Sequence, residues 1–114
     1  MKQTASLAWA LAPVVASDFE ALLALRLRAM RDSLTQLGRY DEARARARLA
    51  EGFAPESTHH IEVQGQRVGF IVLKHLSHAL RLDHFYIDPP WQNRGIGARV
   101  MRWVCDQADA ELLP

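Results

Sequence analysis

An α/β (α+β) fold, a mostly antiparallel sheet flanked by helices, is what this sequence of 114 residues predicts, and three observations carry the prediction. Apolar positions recur at steps of three and four along residues 19–37 and again after Gly97, which marks amphipathic helices near the two ends of the chain. Between them lie three β-like runs, Thr58 to Val63, Arg67 to His75 and Leu80 to Ile87. In the last two runs both alternating faces are apolar, Phe70 and Val72 against Ile71 and Leu73, then Leu82 and Tyr86 against Phe85 and Ile87. Strands of that kind are covered on both sides, so helices must flank the sheet.

The first element is a short strand over residues 7–12. Ser17-Asp18-Phe19-Glu20 then has the form of a capping box, with Ser17 and Glu20 satisfying each other's backbone donors at a helix start. The stripe of that helix is Phe19, Leu23, Leu27, Met30, Leu34 and Leu37, and Gly38 can stop it in a left-handed conformation. Asp41 caps a second helix running to about Ala50 and closed by Gly52, with Ala43, Ala47, Leu49 and Ala50 as a thin apolar side. Gln64-Gly65-Gln66 joins the first two β-like runs, its glycine suited to the positive φ of a hairpin turn, and Leu76-Ser77-His78 turns the chain into the third. Asp88-Pro89-Pro90 ends that run, because proline has no ladder donor. The last helix shows Val100, Met101, Val104, Cys105 and Ala108 on its apolar face.

Composition narrows the function. Apolar residues at 49%, charged ones at 24% and a net charge of +1 describe a globular chain with no general attraction to nucleic acid or acidic membranes. The length suits one domain over residues 1–114. The longest apolar stretch near the N-terminus, Leu7 to Ala16, is broken by Pro13, lacks a basic cluster and is too short to cross a bilayer. Cys105 is the single cysteine, which excludes an intrachain disulfide and fits a reducing compartment, and its helical position reads as core. A cytoplasmic protein is expected. His59-His60, with His75 and His78, do not make a metal site, since adjacent strand residues point to opposite faces and no Cys or carboxylate stands at ligand spacing. The arginines Arg44, Arg46 and Arg48 spread around their helix and read as a solvated face.

The stretch from Trp91 to Val104 carries the chemistry. It runs from strand through a glycine-bearing turn into a helix, whose first turn has unpartnered N–H groups and a partial positive charge that together hold an anion. A P-loop would need Gly-Lys followed by Ser or Thr, which is absent. A dinucleotide fingerprint would put Gly or Ala where Val100 stands, and an acidic ribose partner about twenty residues further on, beyond the end of the chain. The pattern that remains, Gln92-x-x-Gly95-x-Gly97-Ala98, resembles the acyl-CoA pyrophosphate loop of the GNAT superfamily of N-acetyltransferases, and Phe85-Tyr86-Ile87-Asp88-Pro89 resembles the end of that family's fourth strand. The order of elements resembles the N-terminal part of the GNAT-like fold over almost the whole chain.

The resemblance implies an acetyl-CoA-dependent N-acetyltransferase in which a primary amine, of a small molecule or a protein, attacks the thioester directly. It implies that backbone groups around Tyr86 and Ile87 contact the pantetheine arm and carbonyl, and that the N–H groups of Gln92, Asn93, Arg94, Gly95, Ile96, Gly97 and Ala98 hold the pyrophosphate. Acetyl-CoA is then the cosubstrate, and no metal is expected. Asp83 and His84, on the strand leading into the slot, are the candidate catalytic residues; alternation puts them on opposite faces, so at most one faces the substrate. The sequence stops at Leu112-Leu113-Pro114, before the family's fifth strand, fourth helix and closing hairpin, elements that supply one wall of the slot and, in many members, a tyrosine acid. The expectation is therefore a homodimer covering the edge of the fourth strand, or a fragment of a longer chain. A catalytically silent acyl-CoA-binding or interaction module is the competing reading, and nucleic-acid binding a third.

Overall fold

The computed structural model describes residues 8–36 and 41–112. In chain order these form β1 (Trp9–Pro13), α1 (Phe19–Gln36), α2 (Glu42–Ala50), β2 (Thr58–Val63), β3 (Gln66–His75), β4 (Leu80–Ile87) and α3 (Ile96–Leu112), with short 3-10 turns at Ala16–Asp18, Pro55–Ser57 and Pro89–Trp91. The four strands pair antiparallel in the order β1-β2-β3-β4. The β2–β3 hairpin closes through Gln64 at φ 54° and Gly65 at φ 77°, the double positive φ of a type I′ turn, whose twist matches that of the strands it joins. Among the described strands β4 pairs with β3 alone, so its other edge is open.

The sheet is the middle of three layers. On one face Val14, just after β1, and Leu22, Leu23, Leu25, Ala45 and Leu49 of α1 and α2 pack against Phe70 and Val72. On the other, Ile96, Val100 and Val104 of α3 cover Ile61, Val63, Val68, Ile71 and Leu73. Val68 through Leu73 are buried without a break, as a strand covered on both faces requires. Burying a Val, Leu, Ile or Phe side chain completely contributes about 1.5–3 kcal/mol by leaving water.

Several local expectations are corrected. The box between Ser17 and Glu20 does not form; the Asp18 carboxylate instead accepts from the Val15 N–H at 3.0 Å, capping the 3-10 turn that precedes α1. Asp41 caps α2 as expected, accepting from the Arg44 N–H at 3.1 Å. The helix is rotated from the anticipated phase, however, so that Ala45 and Leu49 are buried while Ala43, Ala47 and Ala50 are exposed. Cys105 is exposed rather than core, because Val100 and Val104 set the buried line of α3 and the next residue turns about 100° away from it. The α3-side cover of β4 also thins toward its start, where Leu82 is 37% exposed. Leu34 has no described side chain, and Leu37 and Gly38 lie outside the described residues.

One irregularity matters for function. Val72 pairs with His84 but Leu73 pairs with Leu82, so the β3–β4 ladder steps over Asp83. Such a bulge bends the strand and resets its alternation.

Candidate active site

The site begins where β4 gives way to α3. The Asp88 N–H donates to the Val68 carbonyl at 2.8 Å. By the two-residue period of an antiparallel ladder, the backbone groups of Phe85 and Ile87 then turn toward the open edge. Gln92 folds back on this edge, its side-chain amide donating to the Ile87 carbonyl at 2.8 Å. Strand end and loop are thereby fixed to one another. On the other side Arg28 of α1 grips Asp88 with two bonds of 2.9 Å, a fork that resists rotation as a single contact would not. The carboxylate of Asp88 also lifts the Arg28 guanidinium above its ordinary pKa.

Within the loop Asn93 (φ 63°) and Gly95 (φ 82°) are left-handed with Arg94 between them. This alternation is the pattern in which successive N–H groups gather into a concavity for anions. Ile96 opens α3 with its side chain in the core, 1% exposed, so its contribution to the loop is its backbone. A Cβ built on Gly95 or Gly97 meets nothing within 4 Å. Open space thus lies against the first turn of a 17-residue helix, where the partial positive charge of the peptide dipoles is concentrated. That space, bare of side chains and rimmed by N–H donors, fits a phosphate group. Arg94 lies over Trp91, 5.0 Å from the ring centroid, at its margin.

A second group of residues occupies the α1/α2 face of β4. Pairing with Val72 and Phe70 brings His84 and Tyr86 to that face, and their rings lie 6.0 Å apart. Arg26, 6% exposed, donates from Nε to the Tyr86 hydroxyl at 3.1 Å and from Nη1 to the Ala45 carbonyl. The Nδ1 of His84 is buried and has no hydrogen-bond partner among the described residues. Burial first, and then the positive charge of Arg26, push the His84 pKa below its ordinary value near 6.5, with Arg48 adding to the effect and Asp83 opposing it. The charged form of the ring is therefore disfavoured, and its Nδ1 is shielded from solvent. Asp83, by contrast, is occupied by Arg81 at 2.7 and 3.3 Å.

The structure thus brings His84 and Tyr86 together, and Gln92 with Ile87, while holding Asp83 in a separate ion pair. The expected alternation of Asp83 and His84 does not apply as stated, because the bulge falls at Asp83 itself. Three residues that organise the site were missed. Arg26 sits one turn from Leu22 and next to Leu25, a cation inside an apolar stripe, which is a sequence signal for a partnered buried charge. Arg28 gave none. Gly69 faces Ile87 across the ladder, and a Cβ there would stand 2.4 Å from the Tyr86 carbonyl oxygen. Only glycine lets β3 approach the end of β4 so closely.

Elsewhere, His60 is 2% exposed and bonds through Nε2 to Asp18 at 3.0 Å, whereas His75 at the end of β3 and His78 on the β3–β4 connection are exposed. Among the described residues no three His, Cys, Asp or Glu side chains converge on a metal-sized site. In the arginine run, Arg46 forks onto Glu20 of α1. No described helix is long and apolar enough to cross a membrane.

The family model described as Acetyltransferase (GNAT) family matches residues 20–112. No curated protein matches significantly. Solved structures do. A protein from Pyrococcus horikoshii aligns with TM-score 0.64 at 12% identity over 91% of this chain and 36% of its own. The PaiA N-acetyltransferase of Thermoplasma acidophilum, in complex with coenzyme A, aligns with TM-score 0.63 at 16% identity over 88% of this chain and 71% of its own. A GNAT family acetyltransferase from Brucella melitensis, in complex with acetyl-CoA, gives TM-score 0.61 at 16% identity, covering 88% of this chain and 68% of its own. At these identities the likeness is one of fold.

Proposed function

The chain belongs to the acetyltransferase (GNAT) family, and from that premise we propose that it is an acetyl-CoA-dependent N-acetyltransferase acting on a primary amine. The observation that carries this reading is the bare, left-handed loop from Gln92 to Ala98 at the start of α3, held against the end of β4 by the Gln92 amide. Acetyl-CoA supplies an acyl group activated as a thioester. Two of the structures similar to this chain hold coenzyme A or acetyl-CoA.

The roles follow from the residues. The N–H groups from Gln92 to Ala98 bind the pyrophosphate, and the glycines keep side chains out of its way. Backbone groups of Phe85 and the N–H of Ile87 at the open edge of β4 align the pantetheine arm by strand-like hydrogen bonding, the Ile87 carbonyl being held by Gln92. An amine is a nucleophile only when neutral, so a base must take its proton. His84 is our assignment for that base: it lies on the strand that leads into the slot, the charged form of its ring is disfavoured, and its buried Nδ1 is unpartnered among the described residues. Tyr86 and Arg26 orient and polarise its surroundings. Asp83, tied to Arg81, tunes His84 rather than acting itself.

The experiment is acetyl-CoA-dependent thiol release against a panel of primary amines, with wild type and His84→Gln. Amine-dependent release by wild type, lowered at least tenfold in the variant, is the expected result. Coenzyme A binding with no release for any amine would favour a catalytically silent acyl-CoA-binding module instead.

A further inference from the structure

Two contacts fix α2 over the strand that carries His84. Arg26, bonded to Tyr86 of β4, donates to the Ala45 carbonyl within the helix. Past the end of the helix the Gly52 carbonyl accepts from Lys74 at 2.7 Å, and Lys74 pairs with Arg81 of β4 as Val72 does with His84, on one face of the sheet. Arg48 stands between these anchors. At about 100° per residue, Arg46 falls to one side of the buried Ala45, where it forks onto Glu20 of α1, and Arg48 falls to the other. The Arg48 side chain is exposed, makes no hydrogen bond or ion pair among the described residues, and acts on His84 through space. We propose that Arg48 binds a carboxylate of the acceptor, so that the amine acetylated here is a small amino acid rather than a polyamine or a lysine on a basic segment. The assignment rests on the reading of His84 as the base.

The charges acting on His84 are Arg26, Arg48 and Asp83, a net positive set. Two of them are engaged, Arg26 by Tyr86 and the Ala45 carbonyl and Asp83 by Arg81. Glu51, three residues beyond Arg48, has left the helix with ψ 113°. An incoming alkylammonium is repelled by such a set, and each further amino group adds to the repulsion. An amino acid carries its own offset. Its carboxylate accepts paired, charge-assisted hydrogen bonds from a guanidinium, a fork that fixes orientation as well as position. The nitrogen, held at one distance from that anchor, approaches the thioester in a restricted geometry. It gives its proton to His84 and forms the amide bond while the thioester C–S bond breaks and coenzyme A leaves as the thiolate.

The test measures acetyl-CoA-dependent thiol release with glycine, β-alanine and γ-aminobutyrate, each beside its own carboxamide, and with putrescine. Rates are compared per neutral amine, in wild type, Arg48→Gln and Arg48→Lys. Arg48 is exposed, so its replacement leaves the core intact. At the best chain length wild type should show kcat/KM about tenfold higher for the acid than for its carboxamide, one charge-assisted contact, with putrescine used least. Arg48→Gln should bring acid and carboxamide to within about twofold, the loss falling on KM for the acid. Arg48→Lys, which keeps the charge without the fork, should retain an intermediate preference. Equal use of acid and carboxamide by wild type, a preference for putrescine, or full preference kept in Arg48→Gln would overturn the assignment while leaving acetyl transfer to amines standing. Release with no amine at all would overturn both.

Discussion

Arg26 reaches from the middle of α1 to Tyr86 on β4, its Nε 3.1 Å from the phenol oxygen and its guanidinium carbon 5.7 Å from the ring centroid. A buried cation is tolerated only when its donors are occupied. Here the second fork of the guanidinium goes to the Ala45 carbonyl of α2, so one side chain joins both helices of this layer to the strand that carries His84. Arg26→Met leaves Tyr86 and the Ala45 carbonyl without this donor and should lower stability by about 1–3 kcal/mol. Chemical denaturation of the two proteins measures it. Arg26→Lys should recover only part of the loss, because an ammonium cannot reproduce the fork.

The same charge sets a pH dependence. His84 titrates below its ordinary value near 6.5, chiefly through burial and then through Arg26. A base must be unprotonated to work, so the rate should rise with pH through an apparent pKa below 6.5 and be flat above it. Arg26→Met removes a cation and should move this limb to higher pH. Asp83→Asn removes an anion and should move it to lower pH. A limb that stays in place in both variants would exclude His84 as the titrating group.

His84 also links pH to stability. Between its folded and unfolded pKa values the unfolded chain binds more protons, so stability rises with pH there. The contribution is complete above about pH 6.5 and is lost as pH falls through the lower, folded value. Asp18 acts at more acid pH. Its carboxyl is held below its ordinary 3.8 by the Val15 N–H first and by His60 next, so its stabilisation is present above that value and lost as pH falls below it. Melting temperatures across pH should show both steps in wild type, the first missing in His84→Gln and the second in Asp18→Asn.

Glycine positions separate two kinds of cost. At Gly69 an added methyl meets the Tyr86 carbonyl oxygen at 2.4 Å and the Ile87 side chain at 3.0 Å. Gly69→Ala should destabilise by about 3 kcal/mol through displacement of β4. At Gly95 an added methyl has room, but φ is +82°. Gly95→Ala should cost about 1–2 kcal/mol, the penalty of a left-handed L-residue. Equilibrium unfolding of both variants should rank them in that order.

What was legible in the sequence was local. β2 and β4 have the bounds their alternation announced, and β3 begins one residue earlier, because Gln64-Gly65 and Asp88-Pro89 punctuate the runs chemically. The Asp41 cap was legible for the same reason. The loop from Gln92 to Ala98 was visible as a pattern, since its device is backbone conformation and the glycines that permit it are in the sequence. What depended on partners was not visible. The bulge at Asp83 is a relation between β4 and β3, and neither strand alone encodes it. The role of Gly69 exists only once β4 lies beside it. Arg26 lies outside the stripe Phe19, Leu23 and Leu27 that the spacing marks, yet it is buried along with its neighbours Leu22, Leu23 and Leu25. Cys105 and Ala45 show the same limit in another form: a broad apolar stripe fixes a helix but leaves its rotation about its axis undetermined by a residue.

The identity of the loop as an acyl-CoA pyrophosphate site is tested most directly by calorimetric titration of coenzyme A into wild type and Gly97→Val. A Cβ at residue 97 enters open space and strikes no protein atom within 4 Å, so the substitution fills the space proposed for the phosphate without a clash in the fold. Wild type should bind, and Gly97→Val should bind at least tenfold more weakly while unfolding within about 1 kcal/mol of wild type. Equal affinities in the two proteins would contradict the assignment of residues 92–98 as the site.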